Sequence, residues 1–395
     1  MGSYVTDPPK LYVETPCIPS PELSRAAGCN VYLKLENLQP SGSFKSRGVG
    51  TLMSQALLSS SSGHAHFYCS SGGNAGLACA EAARSLRQPC DVFVSMLTPD
   101  HVLAKLAALG ATPHRTGYSW PEADAGCRAA MARDAVGVYV PPFDHPLIWQ
   151  GNASLVDELA ALEGKGFFAA DPDSTGVIDV IVCNVGGGGL LNGVMEGVER
   201  NYGSSPVPSG AAAGLRDGNP GRRPAVLALE TAGADSLAAS IRAGSHVALP
   251  GITSIATSLG APRVAEQTYR WAELCNATTF ASTPDSDFAS SPTPTRPGAH
   301  EAVNANTTRL VSAVVSDAEA VSACAKFLDD ARLLVEVACG ATLSSAYESK
   351  TLLRAAFGRD LDDESWARMN VVLVVCGGSN ISMDMLAKYR VKFGV

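Results

Sequence analysis

Four consecutive glycines, Gly186 to Gly189, stand just after the apolar run Val177–Asn184 and just before a helical pattern opening at Leu190-Leu191-Asn192-Gly193. A buried strand passing through glycines into a helix is a unit of parallel α/β architecture. Glycines at such a turn let backbone N–H groups close around an anion at the positive end of the helix. The dinucleotide fingerprint Gly-x-Gly-x-x-Gly fails in every register, because Leu191 or Asn192 occupies the third glycine position. No Gly-Lys-Ser/Thr follows, so the run is not a Walker loop either. The net charge of −8 argues against nucleic-acid partners and anionic membrane surfaces. A phosphate would therefore be held by local geometry rather than by a basic surface.

The rest of the chain repeats the pattern. Strands are expected at Val31–Leu35, His66–Cys69, Asp91–Ser95, Thr112–His114 and Val138–Val140, and helices from near Phe44, at Asn74–Arg87 and at His101–Leu109, with Gly110 ending the last. Further on, Ile148–Glu163 reads as an amphipathic helix, Ala225–Glu230 and Val371–Cys376 as buried strands, and Asp317–Asp330 and Gly340–Phe357 as helices. Apolar strands of this kind suit parallel sheets covered on both faces. At 395 residues with 46% hydrophobic content, the chain suits two packed lobes. The expected division is a large lobe from 1–41 and 146–395 and a small lobe from 42–145. Segments 203–223 and 281–308, rich in Ser, Pro, Gly and Ala without hydrophobic periodicity, read as disordered surface excursions whose ends lie close together.

Ser41-Gly42-Ser43-Phe44-Lys45-Ser46-Arg47-Gly48 sets a lysine among turn-forming residues at a helix start. Positive backbone potential there disfavours an ammonium, and a lysine so placed can form a Schiff base with a carbonyl cofactor. Cys69-Ser70-Ser71-Gly72-Gly73-Asn74-Ala75-Gly76 leaves a strand for a helix, a second anion-binding arrangement. Cys376-Gly377-Gly378-Ser379-Asn380 begins a turn after a strand.

Taken in order, these segments resemble the signature segments of fold-type II pyridoxal-phosphate enzymes of the tryptophan synthase β superfamily, and within them the catabolic, liver-type L-serine dehydratases. The resemblance runs from about Tyr12 to Ala387. It implies a two-lobed α/β fold and a cofactor, pyridoxal 5′-phosphate, bound by Phe44, Lys45, Asn74, Gly186, Gly187, Gly188, Gly189, Leu190 and Cys376. Lys45 is the implied anchor and base, with Phe44 against the ring face, Asn74 on the 3′ oxygen and Cys376 facing the pyridine nitrogen. Ser71, Gly72, Asn74 and Phe143 would take the substrate, L-serine or L-threonine. A potassium-type ion is implied at Gly186, Glu230, Ala234, Leu259 and Ala261. Buried at a strand end, Glu230 would need either that cation or a hydrogen-bond donor. The family habit is a cytoplasmic homodimer.

Other readings stay open at this point: a serine racemase or another fold-type II lyase, or a catalytically inactive relative serving as a binding or sensor module. The loop Ser-Ser-Gly-Gly-Asn-Ala departs from the Ser-Ser-Gly-Asn-His of racemases and biosynthetic threonine dehydratases. The eleven cysteines form no Cys-x-x-Cys pair, so neither a zinc site nor a disulfide framework is expected. No secretory signal or membrane-spanning run is visible. Met1-Gly2-Ser3-Tyr4-Val5-Thr6 fits an N-myristoylation pattern. His64 and His66 are expected to be solvated loop residues rather than metal ligands.

Overall fold

The computed structural model of the chain describes residues 8–203, 223–282, 307–347 and 350–395. Gly2 and most of the two excursions (204–222 and 283–306) lie outside them. Eleven strands occur among the described residues: β1 (Cys17–Pro19), β2 (Asn30–Lys34), β3 (His66–Cys69), β4 (Cys90–Val94), β5 (Thr112–Arg115), β6 (Gly137–Tyr139), β7 (Val180–Asn184), β8 (Ala225–Thr231), β9 (Thr278–Ala281), β10 (Leu310–Val315) and β11 (Asn370–Val374). The chain forms two compact units, one from Met1–Glu14 with Leu38–Asn152, the other from Thr15–Asn37 with Ala153–Val395.

In the first unit the strands lie in the order β5-β4-β3-β6, all parallel. One face of this sheet, with Phe67, Cys69, Val92 and Val94, joins a core built with Val49, Leu52 and Met53 of helix Lys45–Leu58 and Leu77, Ala78 and Ala82 of helix Asn74–Leu86. The other face places Tyr68 and Phe93 against Cys127 of helix Trp120–Met131. His64 is exposed as expected, but His66 is not a loop residue. It opens β3, half-buried, with Nδ1 2.7 Å from Asp134 Oδ2, because the strand period turns it to the same face as Tyr68.

The second unit carries a seven-stranded sheet in the order β1-β2-β11-β7-β8-β10-β9, parallel except for β1 against β2. Every residue of β7, β8, β10 and β11 is buried, as a parallel sheet covered on both faces requires. Helix Val337–Tyr347 is buried along almost its whole length and follows a lone acid, Glu336, which is itself buried. The expected helix Gly340–Phe357 is represented by Val337–Tyr347 and Lys350–Phe357, on either side of residues 348–349, which are not described.

The two excursions leave the fold differently. Arg223 donates from Nη2 to the carbonyl of Gly203 at 2.9 Å, so the ends of the first lie together. The second does not follow that expectation. Its flanks, β9 and β10, pair in parallel with Ala281 opposite Val314. Ala281 and Leu310 are therefore roughly 13 Å apart at the rise of a strand.

Candidate active site

Each sheet contains a reversal of its strand order, beside β3 in one and beside β7 in the other. Such a reversal marks where a ligand crevice is expected, beyond the carboxyl ends of the strands. In the first unit, β4 and β5 follow β3 on one side and β6 lies on the other. The segments leaving that switch point are Ser70–Gly73 and Pro141–Phe143. In the second unit, β8 follows β7 on one side while β11 lies on the other. The segments leaving it are the glycine run and Cys376–Asn380. Periodicity finds the strands but not their lateral order, so sequence alone could not show this coincidence.

Lys45 is the first residue of helix Lys45–Leu58, as the sequence predicts. Its Nζ donates to the Pro142 carbonyl at 2.6 Å and lies 5.1 Å from the centre of the Phe44 ring. Phe44, Lys45 and the segment containing Phe143 are thus brought together. Phe143 is itself held by its carbonyl, which accepts from Trp149 Nε1 at 2.9 Å.

The Ser71 hydroxyl accepts from the Gly73 N–H at 3.2 Å, and Asn74 opens the following helix. Gly76 has no substitute, because a Cβ there would sit 1.8 Å from the Ser71 carbonyl oxygen. A Cβ on Gly72 would press on Val94 and Thr98 at 3.2 and 3.3 Å. The loop is gripped from behind by residues the sequence reading missed. Trp120 Nε1 donates to the Ser70 carbonyl at 2.7 Å, and the Ser70 hydroxyl donates to Asp124 Oδ1 at 2.6 Å. Burial pushes the Asp124 pKa up, but hydrogen bonds from Ser70, Tyr139 and Arg128 outweigh it and hold the carboxyl below its ordinary value. Partners so distant in sequence leave no local signal.

In the second unit, helix Gly189–Tyr202 starts inside the glycine run without a side-chain cap. Gly188 has φ +92°, and a Cβ there would lie 1.9 Å from Thr268 Oγ1. Gly186 packs so closely on the turn Ser258–Leu259 that a Cβ would be 3.0 Å from Leu259 Cα. Leu190 is buried. The run therefore presents backbone alone to whatever binds it.

Cys376 lies two residues past β11 rather than at its end. Its Sγ accepts from Asn184 Nδ2 at 3.0 Å. A hydrogen bond with Cys339 and burial push its pKa well above the ordinary thiol value, so the group is neutral. Glu336 pins the same loop, accepting from the Asn380 N–H at 2.6 Å and from the Ser258 hydroxyl. A single acid within Leu333–Gly340 was the signal for Glu336, and a polar residue closing an apolar strand was the signal for Asn184.

Glu230 is fully buried, and its two oxygens accept from the N–H groups of Leu237 and Ala238, each at 2.8 Å. The donors are the first turn of helix Ser236–Ala243. Burial pushes its pKa from 4.5 up to about 8, against the pull of these amides. Because the folded value lies above the unfolded one, folding favours the protonated acid. That stabilisation is complete below pH 4.5 and is lost as pH rises through 8. At about 1.4 kcal/mol per pKa unit, the loss is on the order of 5 kcal/mol. In urea denaturation, wild type should lose stability relative to Glu230→Gln across this interval; parallel curves would contradict the assignment. Ala234 and Ala261 are buried nearby in sequence, and the Leu259 carbonyl already accepts from the Ala261 N–H at 2.7 Å. No cluster of three or more His, Cys, Asp or Glu side chains suited to a metal occurs among the described residues.

Two parallel α/β units, each with an anion-type loop at its switch point, one with a lysine at a helix start and the other with an uncapped glycine-built one, define the fold-type II class. The chain belongs to the pyridoxal-phosphate-dependent enzyme family, whose sequence pattern matches residues 9–290. It is 38% identical over 388 residues to the L-serine dehydratase/L-threonine deaminase of Mus musculus, covering 98% of this chain and 97% of that one. A fungal L-serine ammonia-lyase from Rhizomucor miehei superposes with a TM-score of 0.73 at 31% identity, over 97% and 99% of the two chains. The serine racemase of Dictyostelium discoideum superposes at 0.66 with 19% identity over 95% of each chain, a likeness of fold alone. No helix among the described residues is long and apolar enough to cross a membrane. The residues fit the family's cofactor: a side-chain-free turn at a helix start suits its phosphate, and a neutral thiol suits an unprotonated ring nitrogen.

Proposed function

We propose that this chain is an L-serine dehydratase, converting L-serine to pyruvate and ammonia and L-threonine to 2-oxobutanoate. Gly186–Gly189 and Leu190 would hold the phosphate of pyridoxal phosphate, Asn74 its 3′ oxygen, Phe44 its ring face and Cys376 its ring nitrogen. When bound, the cofactor supplies an electron sink for the carbanion at the substrate Cα. Ser71, Gly72 and Asn74 take the substrate carboxylate through a loop already clamped by Trp120 and Asp124. Phe143 lines the side-chain end. Lys45 would hold the cofactor's carbonyl carbon and would be the base that takes the Cα proton.

The observation that carries this reading is the buried Cys376 thiol, its Sγ accepting from Asn184 Nδ2 at 3.0 Å and its pKa raised by Cys339 and burial. Unlike a carboxylate, it cannot stabilise a proton on the ring nitrogen. Cys376 would therefore leave a bound cofactor a weaker electron sink, suited to expulsion of a β-substituent rather than transamination. The extensive identity to the mouse enzyme supports the same substrates.

A monovalent cation of the potassium type belongs to the reading, held by backbone carbonyls of Gly186, Glu230, Ala234, Leu259 and Ala261. The closeness of Gly186 to Ser258–Leu259 supports it. The Glu230 carboxylate takes no part, since helix amides already occupy it. A cytoplasmic homodimer completes the reading.

Parallel assays on L-serine and L-threonine should give pyruvate and 2-oxobutanoate, and exchange of potassium for tetramethylammonium should lower both rates and weaken cofactor retention. Accumulation of D-serine without pyruvate would replace this reading with a racemase.

A further inference from the structure

Asn184 closes β7 and is buried between two acceptors. Its Nδ2 donates to the Ala338 carbonyl at 2.7 Å and to Cys376 Sγ at 3.0 Å. A carbonyl oxygen only accepts, so the Ala338 contact fixes which end of the amide faces inward. The nitrogen, not the oxygen, must therefore meet the sulfur. Ala338 is in the first turn of helix Val337–Tyr347, and the preceding Glu336 ties that helix to Ser258 and Asn380. The amide is thus mounted on a fixed platform.

Cys376 has one S–H. With Asn184 donating to the sulfur, that hydrogen is left to the Cys339 sulfur or to the Gly377 carbonyl at a long 3.8 Å, weak acceptors that a better one would displace. We infer that Asn184 is a positioning residue: it fixes the Cys376 thiol as a donor toward the cofactor's ring nitrogen, and so keeps that nitrogen hydrogen-bonded but unprotonated. The inference rests on the proposed role of Cys376. It adds that the direction of the hydrogen bond is imposed from β7, the strand that also leads into the phosphate loop.

The test is the ¹⁵N chemical shift of ring-labelled pyridoxal phosphate bound to wild type, Cys376→Ala, Asn184→Ala and Asn184→Asp, with far-UV circular dichroism to verify folding. Wild type should show the shift of a hydrogen-bonded, unprotonated nitrogen, and Cys376→Ala that of a nitrogen without a donor. Asn184→Ala should move part of the way to the Cys376→Ala value, and should add nothing in the Cys376→Ala background. Asn184→Asp preserves the shape should the alanine variant not fold. Its protonated carboxyl puts a hydroxyl where Nδ2 stood. The one hydrogen goes to the Ala338 carbonyl, and the hydroxyl oxygen can then only accept from the thiol, which reverses the bond. The shift should then reach the Cys376→Ala value. A protonated wild-type nitrogen, or no change in Cys376→Ala, would remove the role of Cys376 and this inference with it. A shift that responds to Cys376→Ala but to neither Asn184 variant would overturn the inference alone.

Discussion

Lys45→Ala should lower dehydration of L-serine by about 10³-fold or more, the range expected when a positioned proton-transfer group is lost. On the proposed reading, removing the amine takes away both the cofactor anchor and the base at Cα. The fold should be nearly indifferent. The bond from Nζ to the Pro142 carbonyl is lost, costing about 1 kcal/mol. Removing a cation from the first turn of a helix returns about 0.3–1 kcal/mol, and alanine is the best helix former. These terms oppose each other, so thermal melting should stay within a few degrees of wild type while turnover collapses. Substantial pyruvate formation by the variant would sink the assignment of Lys45.

Gly188→Ala should weaken cofactor retention severely while leaving Lys45 untouched. The residue has φ +92°, where an L side chain is strained, and its Cβ would lie 1.9 Å from Thr268 Oγ1 and 2.8 Å from Thr268 Cβ. Thr268 is fully buried and donates to Asn192 Oδ1 at 2.9 Å, so it cannot swing aside freely. Left-handed strain of about 1–2 kcal/mol and overpacking of about 1–3 kcal/mol both act on the loop. Relief requires the loop to leave the form proposed to bind the phosphate, and each 1.4 kcal/mol spent there weakens affinity about tenfold. Thr268→Ala in the same chain removes the contacts with Oγ1 and Cγ2 but neither the positive φ nor the contact with Cβ, so rescue should be partial. Unchanged retention in Gly188→Ala would show that the phosphate is held elsewhere.

The sequence was most legible where chemistry and local geometry coincide. Lys45 at its helix start, Asn74 at the next and the glycine run before Leu190 are all local patterns, and the structure keeps them within a residue or so of their expected positions. The strands β1, β9 and β10 and the helices Pro21–Ala27, Trp120–Met131, Ser236–Ala243, Glu266–Leu274, Asp363–Ala367 and Met383–Phe393 were not read. Most of these helices are short, with too few turns for their period to stand out. The supporting residues were illegible for another reason. Lys34, fully buried, pairs with Glu158 and donates to the Thr15 carbonyl at 2.7 Å. Such a pair 124 residues apart exists only once the sheet has formed. Asp124 behind Ser70 and Asn184 behind Cys376 are of the same kind. They act through groups that local patterns reveal; nothing near Asp124 announces it, and Asn184 shows only as a polar residue closing an apolar strand.

The most direct measurement is borohydride reduction of the cofactor-loaded protein followed by peptide mass spectrometry. The account predicts one phosphopyridoxyl label, on Lys45, absent when L-serine is present in excess during reduction. A label on any other lysine, or dehydration of L-serine by protein that takes up none, would contradict it.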